Sequence, residues 1–185
     1  MKYRNLTNLA LGLTLSGLLS ACATQNAALP TQSGVNLEQY SGVWYEQALL
    51  PNRFQKVCVA DVKAEYTVVD IEQITVVNEC KKADGSMSVA QGVGRLNDAV
   101  LPPDPAKLEV RFGPSWLAWL PMLWGDYWIL KTAEDYQYSL VGSPSREYLW
   151  VLSRDKKADR EVVNELLEYA GSLGFHIDEV KYSNQ

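Results

Sequence analysis

The sequence predicts an all-β domain, an antiparallel sandwich or barrel, with a single helix near the C-terminal end. Three observations predict it. Apolar and polar residues alternate with period two from Val62 to Val68; short β-rich runs bounded by Gly, Pro, Asp or Ser recur at near-regular spacing; and one stretch alone, Asp159 to Ser172, carries an apolar stripe at helical spacing.

Ahead of this domain stands a leader. Lys2 and Arg4 are followed by an apolar run, Leu9 to Leu19, which is short for a membrane span but suits an export signal. It ends in Leu19-Ser20-Ala21-Cys22, small residues before a cysteine whose thiol a lipid-transfer enzyme can alkylate. Residues 1–21 therefore read as a lipoprotein signal peptide, with Cys22 as lipid acceptor and palmitate among the expected chains. Residues 22–34, rich in Ala, Gln, Thr and Ser, read as a flexible tether. Ala23 stands where an Asp would act as an inner-membrane retention signal, which favours the outer membrane, with a periplasmic domain. The remaining 35–185 form one domain of about 150 residues. The formal charge is −5, and losing Lys2 and Arg4 with the leader lowers it by two, to −7, which argues against nucleic acid as a partner.

The strands follow in order. Val62, Ala64, Tyr66 and Val68 share one face of the first alternating run, and Ile74 and Val76 lie in the next. A hairpin centred near Val69 sets Val62 opposite Val76, Ala64 opposite Ile74 and Cys58 opposite Cys80. Export places these two cysteines in an oxidising compartment, so a disulfide is expected, worth roughly 3 kcal/mol for a loop of about two dozen residues. Two free buried thiols are the alternative. His176 is the only histidine, so no metal site is expected. A third strand carries small residues, Ser88, Ala90, Gly92 and Gly94, on one face, leaving room inside a barrel or allowing close backbone approach. Leu108, Val110 and Phe112 mark a fourth; Tyr127 to Thr132, Tyr138 to Gly142 and Tyr148 to Ser153 give three more. Helical Val162, Val163, Leu166, Leu167 and Ala170 pack on the sheet, and Val180 to Tyr182 suits a last strand.

Three motifs remain. Gly42-Val43-Trp44-Tyr45-Glu46 opens the domain, Gly125-Asp126-Tyr127-Trp128 lies midway, and Tyr148-Leu149-Trp150-Val151-Leu152-Ser153-Arg154 precedes the helix. With Arg53-Phe54-Gln55, this order and separation resembles the sequence blocks of the lipocalins, and most closely the bacterial outer-membrane lipoprotein (Blc-type) and apolipoprotein D-like branch. The resemblance covers Val35 to Lys181. It implies an eight-stranded antiparallel up-and-down lipocalin barrel, closed at one end, with one C-terminal α-helix packed outside. It further implies that Trp44 and Arg154 stack at the closed end, a cation–π contact of about 0.5–2 kcal/mol, with Gly42, Asp126 and Tyr127 as structural motif residues. Gly125 departs from the threonine common at the second block.

A barrel of this size holds one small apolar ligand. The resemblance implies fatty acids, lysophospholipids or similar lipids, bound for storage, transport or envelope maintenance. Candidate ligand-binding residues are Phe54, Tyr66, Asn78, Ala90, Trp128, Tyr138 and Trp150, the last because its equivalent in the family lies at the pocket. No cofactor is expected, and analogy is the only ground for a homodimer. The alternative is a lipocalin-fold enzyme, an isomerase or lipid hydrolase. Against it, acyl transfer wants a nucleophile with a positioned base, no Gly-x-Ser-x-Gly elbow is present, and His176 falls after the helix, outside such a barrel. A purely structural lipoprotein with a filled barrel is a third reading. The Trp-rich run Pro114 to Trp124 reads either as a loop folded over the barrel or as a membrane-contacting or ligand-gating flap.

Overall fold

The computed structural model describes residues 28–70, 72–133 and 135–185; the leader and Cys22 lie outside them. A four-residue helix α1 (Leu37–Tyr40) leads into eight strands: β1 (Gly42–Leu49), β2 (Cys58–Val68), β3 (Gln73–Lys82), β4 (Met87–Leu96), β5 (Lys107–Phe112), β6 (Gly125–Ala133), β7 (Tyr138–Gly142) and β8 (Leu149–Ser153). Helix α2 (Arg160–Ser172) and a two-residue strand β9 (Lys181–Tyr182) follow. Each strand pairs antiparallel with the next, β8 returns to β1, and β1 pairs with β2 to close the barrel. Closure gives each of β1 to β8 a neighbour on both sides, although Met87–Gln91 of β4 extends past the end of β5. The alternation puts the loops after β1, β3, β5 and β7 at one end and those after β2, β4 and β6 at the other, where α1 and Trp44 sit.

Strand parity divides the apolar side chains into two layers. Trp44, Tyr66, Ile74, Val76, Leu108, Tyr127 and Ile129 fill the barrel interior near α1. On the outside, Leu130, Leu140, Leu149 and Val151 meet Val163, Leu166, Leu167 and Ala170 of α2. That is why β7 and β8 are apolar on both faces. A register shift between Glu46 and Ala48 switches β1 from the inner layer to the outer one. Helix α2 starts where the Asp159 carboxylate accepts from Glu161 N at 2.9 Å, and Phe175, just past its end, lies across Gly142. Any β-carbon at Gly142 would stand 2.7 Å from the Phe175 ring.

The β2–β3 register differs from expectation. Ala64 pairs with Asn78, Tyr66 with Val76 and Val68 with Ile74. From Ala64 to Val68 the displacement is an even number of residues, so these side chains keep their face although their partners change. Irregularities between Cys58 and Lys63 include Asp61 at φ 54°. They leave Cys58 opposite Lys82, yet within 5.5 Å (Cα to Cα) of Cys80, and the disulfide forms diagonally. Beyond Tyr45, β1 parts from β2 and the C-terminal tail enters the gap. Ala48 pairs with Tyr182, and Asp61 N donates to Asn184 O at 2.8 Å.

Residues 28–34, expected to belong to a free tether, run along the barrel instead. Leu29 is buried in the layer beneath α2, and Gln32 N donates to Ile129 O at 2.9 Å. Leu29 and the hydrogen bonds of Thr31 and Gln32 hold the segment, and composition alone conceals that.

Candidate functional site

The end beside α1 is plugged. The Arg154 guanidinium lies 3.9 Å over the Trp44 ring and donates to Val43 O (2.9 Å), Gln39 O (2.7 Å) and Tyr136 O (3.3 Å). Gly42 takes φ +94° beneath it, a conformation that side chains rarely adopt. Trp44 is fully buried and its indole N–H donates to Tyr40 O at 2.7 Å. Above this plug, the Tyr127 hydroxyl bonds those of Tyr40 (3.0 Å) and Tyr66 (2.9 Å), and Tyr40 also bonds Ser139. Burial pushes the Tyr40 phenol up to about 12 and raises those of Tyr66 and Tyr127, so all three stay neutral donors and acceptors. They form a polar floor across the barrel.

The Asp-Tyr pair against Arg154 is Asp135–Tyr136, not Asp126–Tyr127. Both Asp135 and Tyr136 have positive φ, and the Tyr136 hydroxyl accepts from Asn36 N at 2.9 Å. Gly125–Trp128 opens β6, with Gly125 opposite Val110 and Asp126 opposite Glu109. Burial, then the neighbouring Glu109 charge, raises the Asp126 carboxyl. The short turn immediately before Tyr138 was the available signal for the true partner of Arg154.

Above the floor the barrel is less filled. The inward positions of β3 and β4 pair Asn78 with Ala90; Asn78 is half-buried and Ala90 is exposed, although it points into the barrel. Gly92 and Gly94 are crossed by the side chains of Phe112 and Ile74, each about to collide with any added β-carbon (2.8 Å). Opposite stands an aromatic ladder. Phe54 lies 5.5 Å from Tyr148, which stacks on Trp150 at 5.9 Å with planes 7° apart. Trp150 Nε1 donates to Gln55 Oε1 at 2.8 Å, and Gln55 Nε2 donates to a Glu46 carboxylate oxygen. The other Glu46 oxygen accepts from Ser183 Oγ at 2.6 Å. Burial holds this carboxyl above the usual carboxylate range.

Of the seven candidate ligand residues, Phe54, Asn78, Ala90 and Trp150 thus lie along the open part of the lumen and Tyr66 lies in its floor. Trp128 and Tyr138 do not join them. Both pack in the layer under α2, and the Tyr138 hydroxyl accepts from Asp159 N at 3.0 Å. Their β-parity opposes that of Tyr127 and Ile129, a distinction aromatic character alone does not make. Glu46, Gln55, Phe112 and Tyr148 complete the lumen unforeseen, though Glu46 shares the parity of Trp44 and was legible by that rule. Among the described residues no cluster of His, Cys, Asp or Glu has the form of a metal site.

Known proteins share this construction. A family model, the lipocalin-like domain, matches residues 35–185. Temperature-induced lipocalin-1 of Arabidopsis thaliana is 37% identical, covering 88% of this chain and 86% of that protein. The outer membrane lipoprotein Blc of Vibrio cholerae is 30% identical over 92% of this chain and 94% of its own. Among solved structures, insecticyanin from the tobacco hornworm Manduca sexta superposes with a TM-score of 0.65 at 19% identity, covering 86% of this chain and 85% of that one. A closed eight-stranded barrel followed by an outer helix, plugged by stacked Trp44 and Arg154 and matched over its whole domain by that model, makes this chain a member of the lipocalin family.

Proposed function

We propose that this protein is a lipid-anchored binding protein of the outer membrane, holding a fatty acid, lysophospholipid or similar single-chain amphiphile in the upper lumen. The observation that carries the reading is the exposure of inward-pointing Ala90 beside half-buried Asn78, with half-buried Trp150 also facing inward, in contrast to the fully buried side chains of the floor. An acyl chain suits the upper lumen, each buried methylene contributing about 0.8 kcal/mol before the cost of ordering the ligand. The Gln55–Glu46–Ser183 network offers polar partners beside the aromatic ladder, where a head group or carboxyl would lie. Family membership supports binding rather than turnover, and likeness to an outer membrane lipoprotein supports an envelope location, with Cys22 as the anchor in this reading.

Lipid extraction and mass spectrometry of the purified protein tests the cargo. Single-chain amphiphiles in about equal amount to protein are expected. A folded protein that carries none, and takes up none when they are added, refutes the reading in favour of a structural lipoprotein. Cys22→Ser separately tests the anchor, which predicts release of the protein from the envelope fraction.

A further inference from the structure

We infer that the segment Lys181–Gln185 is a releasable strap across a slit between β1 and β2, and that its release opens a side entrance to the lumen at Glu46. The slit follows from the strand pairing. β1 and β2 pair only from Gly42 opposite Tyr66 to Tyr45 opposite Lys63. Toward the mouth from there, β1 pairs with β8 and β9, and β2 runs irregularly through Asp61. The strap bridges the two lips. On the β1 side, Tyr182 pairs with Ala48, Ser183 N donates to Gln47 O (3.0 Å) and Gln185 Nε2 donates to Glu46 O. On the β2 side, Asp61 N donates to Asn184 O (2.8 Å), and Gln185 Nε2 also donates to Val62 O (2.9 Å).

These bonds are polar, and that makes the strap releasable. β1 is held through buried Trp44 and Ala48, and β2 through Ala64 and Tyr66, whereas none of the five strap side chains joins either buried apolar layer. Tyr182 stays 46% exposed; it meets α2 through its hydroxyl on Asn164 (2.7 Å) and the Arg160 guanidinium over its ring (3.9 Å). A segment tied by exposed hydrogen bonds, with little apolar burial, opens locally far more readily than the fold as a whole. The lips do not depend on the strap. The Cys58–Cys80 disulfide ties β2 to β3, and Lys156 pairs with Asp61 (2.6 Å), which ties β2 to the loop ahead of α2. At Ser183 the wall is one residue thick. Its hydroxyl donates to the inward Glu46 carboxylate (2.6 Å), and the same residue lines an outer cleft of about 590 Å³ with Gln47, Lys156 and Arg160. Moving the strap therefore joins that cleft to the Glu46–Gln55 network, and a head group lying there leaves sideways while its chain slides along the barrel. That use of the entrance rests on the luminal binding proposed above; the opening of the strap does not.

Hydrogen exchange of the ligand-free full-length chain tests the opening. The Ser183 and Asp61 amides, bonded across the slit, should open together and be several-fold less protected than the amides of the Gly42–Tyr45 ladder. Equal protection at both overturns the inference. The entrance is tested by stopped flow with a lysophospholipid that carries a fluorescent acyl chain. Ending the chain after Tyr182 should raise the association and release rates together, several-fold, with Kd nearly unchanged, because a gate acts on the path and not on the bound state. Ala48→Cys with Tyr182→Cys, at directly opposed positions, pins the strap by a disulfide and should lower both rates, with Tyr182→Cys alone near the wild type. Rates unmoved by pinning overturn the entrance, as does faster release with a weaker Kd and unchanged association, the mark of a merely structural strap. A probe that never binds is the failure of the luminal reading, and exchange at Ser183 and Asp61 then still decides whether the strap opens.

Discussion

Glu46 stands where a strand would ordinarily place an apolar side chain, inside the barrel one inward position above fully buried Trp44. Burial raises its carboxyl, so the folded state holds the proton more tightly than the unfolded chain does. Its contribution to stability is therefore most favourable below the unfolded value of about 4.3 and is lost as pH rises through the raised folded value. Glu46→Gln keeps partners for Gln55 and Ser183 and removes the titration. Denaturant unfolding at a series of pH values should show the wild type losing stability relative to this variant across that window; parallel curves would show that the carboxyl is not perturbed. Arg154 supports the opposite expectation, with no pH dependence near neutrality. Arg154→Ala removes the stack on Trp44 and three hydrogen bonds to carbonyls, and a loss of about 3 kcal/mol is expected in urea melts. The role of Arg154 was readable from its motif, whereas that of Glu46 needed the strand register, because a carboxylate in a sequence looks the same whether it faces water or a lumen.

The β2–β3 hairpin and α2 show what patterning settles and what it leaves open. Period two assigned the faces of Ala64, Tyr66, Ile74 and Val76, since a face depends only on parity. It did not assign partners, because sliding a hairpin by an even number of residues conserves the hydrophobic face, and only the turn and the irregularity at Asp61 choose among such registers. The disulfide tolerated the difference because the displaced ladder still brings Cys58 and Cys80 within reach. Cys58→Ser with Cys80→Ser, freeing a loop 22 residues long, should lower stability by about 3 kcal/mol, read as a shift of the urea midpoint. In α2 the periodicity located the stripe and Asp159 the start. Asp159→Ala should cost about 1 kcal/mol, since it leaves the Glu161 N–H without its cap. Trp128 and Tyr138 were drawn toward the lumen by their chemistry and away from it by their parity, and parity wins wherever a helix covers the outer face of the strands.

At the scale of the whole molecule the barrel divides by function along its axis. Near α1, Trp44, Tyr40, Tyr66 and Tyr127 interlock and are buried; toward the mouth, inward-facing Ala90 is exposed and its partner Asn78 and Trp150 are only half-buried. An all-β sandwich or barrel was legible in the short strands and the one amphipathic helix, and the resemblance of the motifs singled out the closed eight-stranded barrel. The division was not, since it rests on which inward side chains are long, and that depends on register. The division has a thermodynamic consequence. A ligand that binds only the folded state stabilises it by about 2.7 kcal/mol at one hundred times its dissociation constant. Trp150→Ala removes a wall of the open half, so it should lower the gain in melting temperature conferred by a lysophospholipid more than it lowers the melting temperature of the empty protein. Trp44→Ala removes the plug and should do the reverse, costing about 3–5 kcal/mol without ligand while leaving the ligand-induced increment near that of the wild type. Thermal melts of the three proteins, with and without lysophospholipid, check both halves together. Equal increments in the wild type and Trp150→Ala would place the ligand elsewhere on the molecule.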